Sequence, residues 1–127
     1  MKRTTFYKCE ESGTVAIKVV DGDGGELCCC KKPMIELVAN TSDGATEKHV
    51  PQVTIEGDIL TATVGSIEHP MTDDHYIQWI YVVTEDGVLG KCLKPGTAPT
   101  AVFNLNGDKP LAVYEYCNLH GLWKADL

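Results

Sequence analysis

Cys117 and His120 stand three residues apart in the segment YEYCNLHGLWK, residues 114–124 of a 127-residue chain. A thiol and an imidazole at C-x-x-H spacing can be presented by one short turn to one metal ion, or can pair as nucleophile and base. The chain has only four histidines; the others are His49 in TEKHVPQ and His69 and His75 in SIEHPMTDDHYIQW. His69 and His75 flank the short loop PMTDD, so two imidazoles can reach one point from its two ends. A single surface histidine is inert in most proteins. Four in loop-like contexts, one of them at ligand spacing from a cysteine, favour a shared metal. A Cys117–His120 nucleophile would leave His49, His69 and His75 unexplained.

The six cysteines are Cys9, Cys28, Cys29, Cys30, Cys92 and Cys117. Three are consecutive, and adjacent cysteines rarely meet the geometry of a disulfide. Clustered thiols in a reducing compartment more often bind metal or carry redox chemistry. The opening residues MKRTTFYKCEES are basic but lack the apolar stretch of a secretory leader, and no apolar run approaches the roughly 18 residues that span a bilayer. A cytoplasmic location with no membrane partner is therefore expected. The net charge of −7 argues against nucleic acid as a partner. Residues 1–37 carry equal numbers of acids and bases, so the whole excess lies in residues 38–127. A small anion is repelled there unless a local cation reverses the field.

The elements that must hold these residues read as β throughout. Val15–Val20 is β-prone and is followed by the turn-rich DGDGG, the Cys triplet and Pro33. A unit of about 35 residues buries little core and usually needs a staple such as a metal. Beyond a boundary between Pro33 and Ala39, QVTIEGDILTATVG reads as two β-prone runs around a turn. HYIQWIYVVTEDGVLGKCL is a long strand, an Asp86-Gly87 hairpin signal and a return strand. TAVFNLNGDKPLAVYEYC gives two more strands around Asn106-Gly107. No segment holds a sustained 3.6-residue apolar period, and short strands at this spacing point to a β-sandwich.

EKHVP, EHPMTDDHYIQWI and CNLHGLWK, together with GEL-x-CC-x-x-PM and LKPG-x-AP-x-AVF, resemble the superoxide reductase family, also called desulfoferrodoxins and neelaredoxins. The resemblance covers nearly the whole chain. It implies a small desulforedoxin-like β domain at residues 1–37, and an immunoglobulin-like β-sandwich at residues 38–127 carrying a mononuclear non-haem iron. His49, His69, His75 and His120 would be the equatorial ligands and Cys117 the axial thiolate. Four imidazoles and a thiolate suit iron in both its ferrous and ferric states, whereas a structural zinc site stops at four ligands. The implied activity is one-electron reduction of superoxide to hydrogen peroxide, with the trans thiolate favouring product release. The amides of Leu119 and His120 would hydrogen-bond the sulfur. Lys48 would draw the anion to the site, and Glu47 would be a mobile carboxylate that reaches the sixth position of oxidised iron on a closing loop. The resemblance also implies a rubredoxin-like electron donor and a homodimer. Pro70 and Met71 are expected to shape the ligand loop. Tyr76, Trp79 and Trp123 are expected to pack the core or shield the site, and Cys92 to be a small buried hydrophobe.

The chain departs from its family at the amino-terminal centre, a rubredoxin-type iron held by four thiolates. Ser12 stands where the second cysteine of C-x-x-C belongs, so Cys9, Cys29 and Cys30 are one sulfur short, and Cys28 is an addition. Cys28 could become a fourth ligand, Ser12 could ligate through oxygen, or the site could be empty or bind zinc or iron weakly; a degraded or absent centre is the expectation. Two further readings of the chain stand beside the enzyme. One is a non-catalytic iron electron-transfer protein, which has no need of an anion-capturing Lys48. The other is a structural zinc protein built on Cys9, Cys29, Cys30 and a histidine, which leaves Cys117 unexplained.

Overall fold

The structure is a computed structural model describing residues 4–127. The first three residues, part of the basic stretch read against a secretory leader, lie outside the described residues. The chain divides into two compact units, Met1–Val38 and Ala39–Leu127.

The first unit is small and lightly filled. Strand β1 (Thr5–Lys8) pairs antiparallel with β2 (Val15–Lys18), and a two-residue hairpin joins β3 (Cys28–Cys29) to β4 (Lys32–Pro33). A short β5 (Ile35–Glu36) returns to the other side of β1. Its buried apolar side chains, among the described residues, are Phe6 and Cys9 alone.

The second unit opens with a one-turn helix, α1 (Thr46–His49), in place of the loop that the sequence leads one to expect there. Seven strands follow: β6 (Pro51–Glu56), β7 (Ile59–Val64), β8 (Ile77–Thr84), β9 (Val88–Cys92), β10 (Thr100–Asn104), β11 (Pro110–Cys117) and β12 (Gly121–Asp126). They form a three-stranded sheet, β10-β7-β6, and a four-stranded sheet, β12-β11-β8-β9, with every pairing antiparallel. This is the strand order of an immunoglobulin-type sandwich. Period-two alternation sends Leu60, Ala62 and Val64 of β7 and Ile80 and Val82 of β8 into the core, where they meet Ala101, Phe103, Val113 and Cys117. Each such side chain, fully removed from water, contributes roughly 1.5–3 kcal/mol for a Leu, Ile, Val or Phe. The turn at Asn106-Gly107 does not close a hairpin, because β10 and β11 belong to different sheets.

Two expectations fail here. Cys92 is exposed, not buried. It ends the edge strand β9 opposite Trp79, on the outer face of the sheet. Trp79 is likewise half-buried on that face, stacked on Tyr116 with centroids 5.8 Å apart and edge-on to Tyr81 at 4.9 Å, away from the core. Among the described residues no helix is long and apolar enough to cross a membrane.

Candidate metal centre

One end of the sandwich gathers the start of β6, the end of β7, the start of β8, and the turn joining β11 to β12. Those are the places where His49, His69, His75, Cys117 and His120 lie. Their donor atoms all fall within 4.8 Å of one another, so the structure brings together all five residues proposed as one ligand set. His49, His69 and Cys117 are buried, and His75 and His120 are half-buried. The cluster is thus closed on the sulfur side and reached past two imidazoles.

Local structure aims each ring. His49 ends α1, whose turn is closed by the Val50 N–H donating to Thr46 O at 3.0 Å. Its Nδ1 lies 2.7 Å from Ala45 O, and its ring stacks on Trp123 with centroids 4.8 Å apart. His69 Nδ1 lies 2.7 Å from the carbonyl of Pro70, which gives that proline its part in shaping the loop. Met71 packs against the core. Asn118 clamps the segment bearing His75, accepting from Tyr76 N–H at 2.9 Å and donating to Asp74 O at 3.0 Å. Trp123 Nε1 donates to His120 O at 3.0 Å.

These contacts test whether a cation fits. A carbonyl only accepts, so Nδ1 of His49 and of His69 must carry the proton, leaving both Nε2 atoms as bare acceptors. Burial holds both rings below the usual imidazole range, His69 down to about 4, so they are neutral near pH 7. Yet His49 Nε2 and His69 Nε2 face each other at 3.2 Å, and His49 Nε2 lies 3.0 Å from His120 Nδ1. Two lone pairs at that distance repel unless a cation lies between them. Nitrogens bound at about 2.1 Å and at right angles about one ion would be about 3.0 Å apart. His75 Nε2 is buried with no protein partner. Burial also pushes the Cys117 thiol up, while the backbone N–H groups of Leu119 and His120 pull the other way. Its Sγ is 3.5 Å from His69 Nε2 and 3.7 Å from His120 Nδ1. Five converging donors, one of them sulfur, exceed a closed zinc tetrahedron and fit a redox metal such as iron.

Lys48 and Glu47 are exposed on α1, outside the ligand cluster. The Lys48 charge is near enough to disfavour protonation of His49 and His75. The second thiol group is Cys9, Cys29 and Cys30, with no histidine and without Cys28, whose Sγ turns towards Glu26 O at 3.9 Å. Hydrogen bonding, that with Cys29 first, holds the Cys9 thiol down at about 6.

Three supporting residues escaped the sequence reading. Gly44 lies against the site: a Cβ there would stand 3.2 Å from both His49 Cε1 and Trp123 Cζ2. Gly65 lets α1 approach so closely that a Cβ would press on Glu47 O and come within 2.7 Å of Lys48 C. Glu115 is fully buried with neither carboxylate oxygen partnered, and burial raises its pKa well above the usual range. Alternation along β11 from Val113 through Glu115 to Cys117 was the signal that could have found it.

The desulfoferrodoxin family model matches residues 41–126. A desulfoferrodoxin of Nitratidesulfovibrio vulgaris is 47% identical over 121 residues, covering 95% of this chain and 94% of its own length. One from Clostridium acetobutylicum is 45% identical over 124 residues, covering 97% and 96%. The crystal structure of the superoxide reductase from Treponema pallidum superposes with a TM-score of 0.83 at 32% identity, covering 98% of this chain and all of that one. The chain belongs to the desulfoferrodoxin family, the family of the superoxide reductases.

Proposed function

We infer that the five-donor cluster is the iron centre at which this chain reduces superoxide by one electron, taking up two protons to give hydrogen peroxide. The observation that carries this is the convergence of His49, His69, His75, His120 and Cys117, with two tautomer-fixed nitrogens facing each other at 3.2 Å. The iron, when bound, supplies one-electron chemistry between its ferrous and ferric states. The protein does the rest. The Ala45 and Pro70 carbonyls orient His49 and His69, and Trp123 holds the His49 plane. The amides of Leu119 and His120 steady the Cys117 sulfur. Lys48 supplies the local positive charge that draws superoxide into an acidic unit, and Glu47 is a carboxylate able to cover the site after turnover.

In this reading residues 1–37 are a desulforedoxin-like unit with no catalytic part, and residues 38–127 are the catalytic sandwich. The electron donor is a rubredoxin-like protein, the working form a homodimer, and the setting a cytoplasm in need of superoxide detoxification. The test is product stoichiometry. Reduced protein exposed to superoxide should yield one hydrogen peroxide per superoxide without evolving oxygen, and Cys117→Ala should abolish this. Half that yield with oxygen evolution would mean dismutation. No reaction from fully iron-loaded protein would favour the electron-transfer alternative.

A further inference from the structure

The amino-terminal thiols do not make the four-sulfur centre of the family, yet their geometry is not that of a collapsed site. Cys29 and Cys30 are consecutive, and two adjacent side chains ordinarily diverge. Here Cys29 pairs with Lys32 across a two-residue turn whose members, Cys30 and Lys31, have φ of 54° and 63°. That left-handed backbone is uncommon outside glycine, asparagine and aspartate. It brings the two sulfurs to 3.8 Å. Cys9 sits on the opposing loop between β1 and β2, which is closed by Cys9 N–H donating to Thr14 O at 2.8 Å and Gly13 N–H donating to Cys9 O at 2.9 Å. All three sulfurs lie within 4.8 Å of one another.

Ser12, on that same loop, stands at the missing corner. Its Oγ is 3.5 Å from Cys29 Sγ, donates its proton to Thr14 Oγ1 at 2.9 Å, and accepts from Thr14 N–H at 3.3 Å with one of its two lone pairs. A lone pair is therefore left for the cluster. In a tetrahedron with sulfur bonds of about 2.3 Å and oxygen bonds of about 2.0–2.2 Å, the S–S edge is about 3.8 Å and the S–O edge about 3.5 Å. The observed Cys29–Cys30 and Cys29–Ser12 separations match both edges. A cavity of about 150 Å³ lined by Cys9, Cys29, Glu10, Glu11 and Lys32 gives an ion a way in.

We propose that Cys9, Cys29, Cys30 and the hydroxyl of Ser12 hold a zinc ion as a structural staple of the first unit, in place of the family's redox iron. The donor set decides the metal. Electron relay by iron in such a site depends on four anionic sulfurs, and a neutral hydroxyl removes one of them. Zinc has no redox role and no geometric demand from its d-electrons, and it accepts mixed sulfur and oxygen donors. It also outcompetes ferrous iron at a given set of ligands. The inference does not depend on the activity assigned to the other unit.

The test uses the full chain, purified anaerobically, supplied with both ferrous iron and zinc, and stripped of loosely held metal on a chelating resin. Elemental analysis should find one iron and one zinc per chain. Cys9→Ala should lose the zinc and keep the iron with its visible absorption unchanged, which also reports that the second unit stays folded. Ser12→Ala should weaken zinc at least roughly tenfold in competition with a chromophoric chelator. Ser12→Cys should let the site take ferric iron and show new thiolate-to-iron charge-transfer absorption. Two irons per chain in the wild type, no retained zinc, or zinc unaffected by Cys9→Ala would each overturn the proposal.

Discussion

Lys48 and His69 show how single side chains set the terms of this site. Superoxide is an anion, and all of the net charge of −7 lies in residues 38–127. Lys48, one residue before His49, is a cation whose charge reaches His49 and His75. Lys48→Ala is expected to slow superoxide consumption roughly tenfold at low salt, with the gap narrowing as salt rises, since steering by local charge is screened. Stopped-flow or pulse-radiolysis traces across ionic strength would check it; equal rates at low salt would remove Lys48 from the mechanism. His69 makes a prediction about pH. Burial lowers it from 6.5 to about 4 in the folded chain, and lowers His49 and His75 in the same direction. As pH falls below 6.5 the unfolded chain takes up protons that the folded chain refuses, so stability of the metal-stripped protein declines towards pH 4 and is unaffected by these rings above 6.5. His69 alone accounts for a loss on the order of 3 kcal/mol at the acid limit. The melting temperature of stripped wild type should therefore fall more steeply between pH 6.5 and 4 than that of His69→Gln. Parallel curves would contradict it.

At the scale of elements, a one-turn helix and a bulge place the converging donors. Because α1 is packed on Gly65, a Gly65→Ala side chain would run into the backbone of Glu47 and Lys48. The helix must shift, carrying His49 and Lys48 with it. Iron affinity is expected to drop at least roughly tenfold. Gly87→Ala, whose Cβ would come no nearer than 4.0 Å to Thr84 Oγ1, should leave it unchanged; a chelator competition on both variants decides. Neither α1 nor the bulge could be read in the sequence. Four residues are too few to display a helical period, and α1 exists because Ala45 and Thr46 carbonyls find Lys48 and Val50 amides. The bulge lies where Tyr116 pairs with Trp79 but Cys117 pairs with Ile77, leaving Gln78 over. It depends on the register between strands far apart in the chain, and such a feature can re-aim side chains at a sheet end. Strand β12 was missed because GLWKAD has little β alternation of its own; it is fixed by pairing with β11 and by Lys124 N–H donating to Asn40 Oδ1 at 2.9 Å. By contrast the β6–β7 and β8–β9 hairpins were legible, since their turn residues and alternating apolar positions are local signals. The convergence of the five donors was legible for a different reason: the four histidines are few and lie in loop-like contexts, and the grouping with Cys117 was implied by the family resemblance of the motifs that carry them.

At the scale of the whole molecule, the two units are stabilised by different means. Ala39–Leu127 has a sandwich core of fully buried Leu60, Val64, Ile77, Ile80, Val82 and Val113. Met1–Val38 has Phe6 and Cys9 as its buried apolar residues among those described, which is too little for a unit of this size to fold on its own account. A metal staple makes up such a deficit, because binding free energy is folding free energy when the empty chain is disordered. Titrating the zinc-loaded and iron-loaded protein with a zinc-selective chelator should therefore melt the first unit alone. Amide hydrogen exchange in residues 5–36 should accelerate by orders of magnitude, while β7, β8 and β11 stay protected and the visible absorption of the iron centre is retained. If protection of β1 and β2 survives complete zinc removal, the few apolar contacts of Phe6 with its neighbours suffice, and the thiol cluster is dispensable for folding. If the iron absorption is lost in step with the zinc, the two units do not unfold independently and the partition of stability between them is wrong.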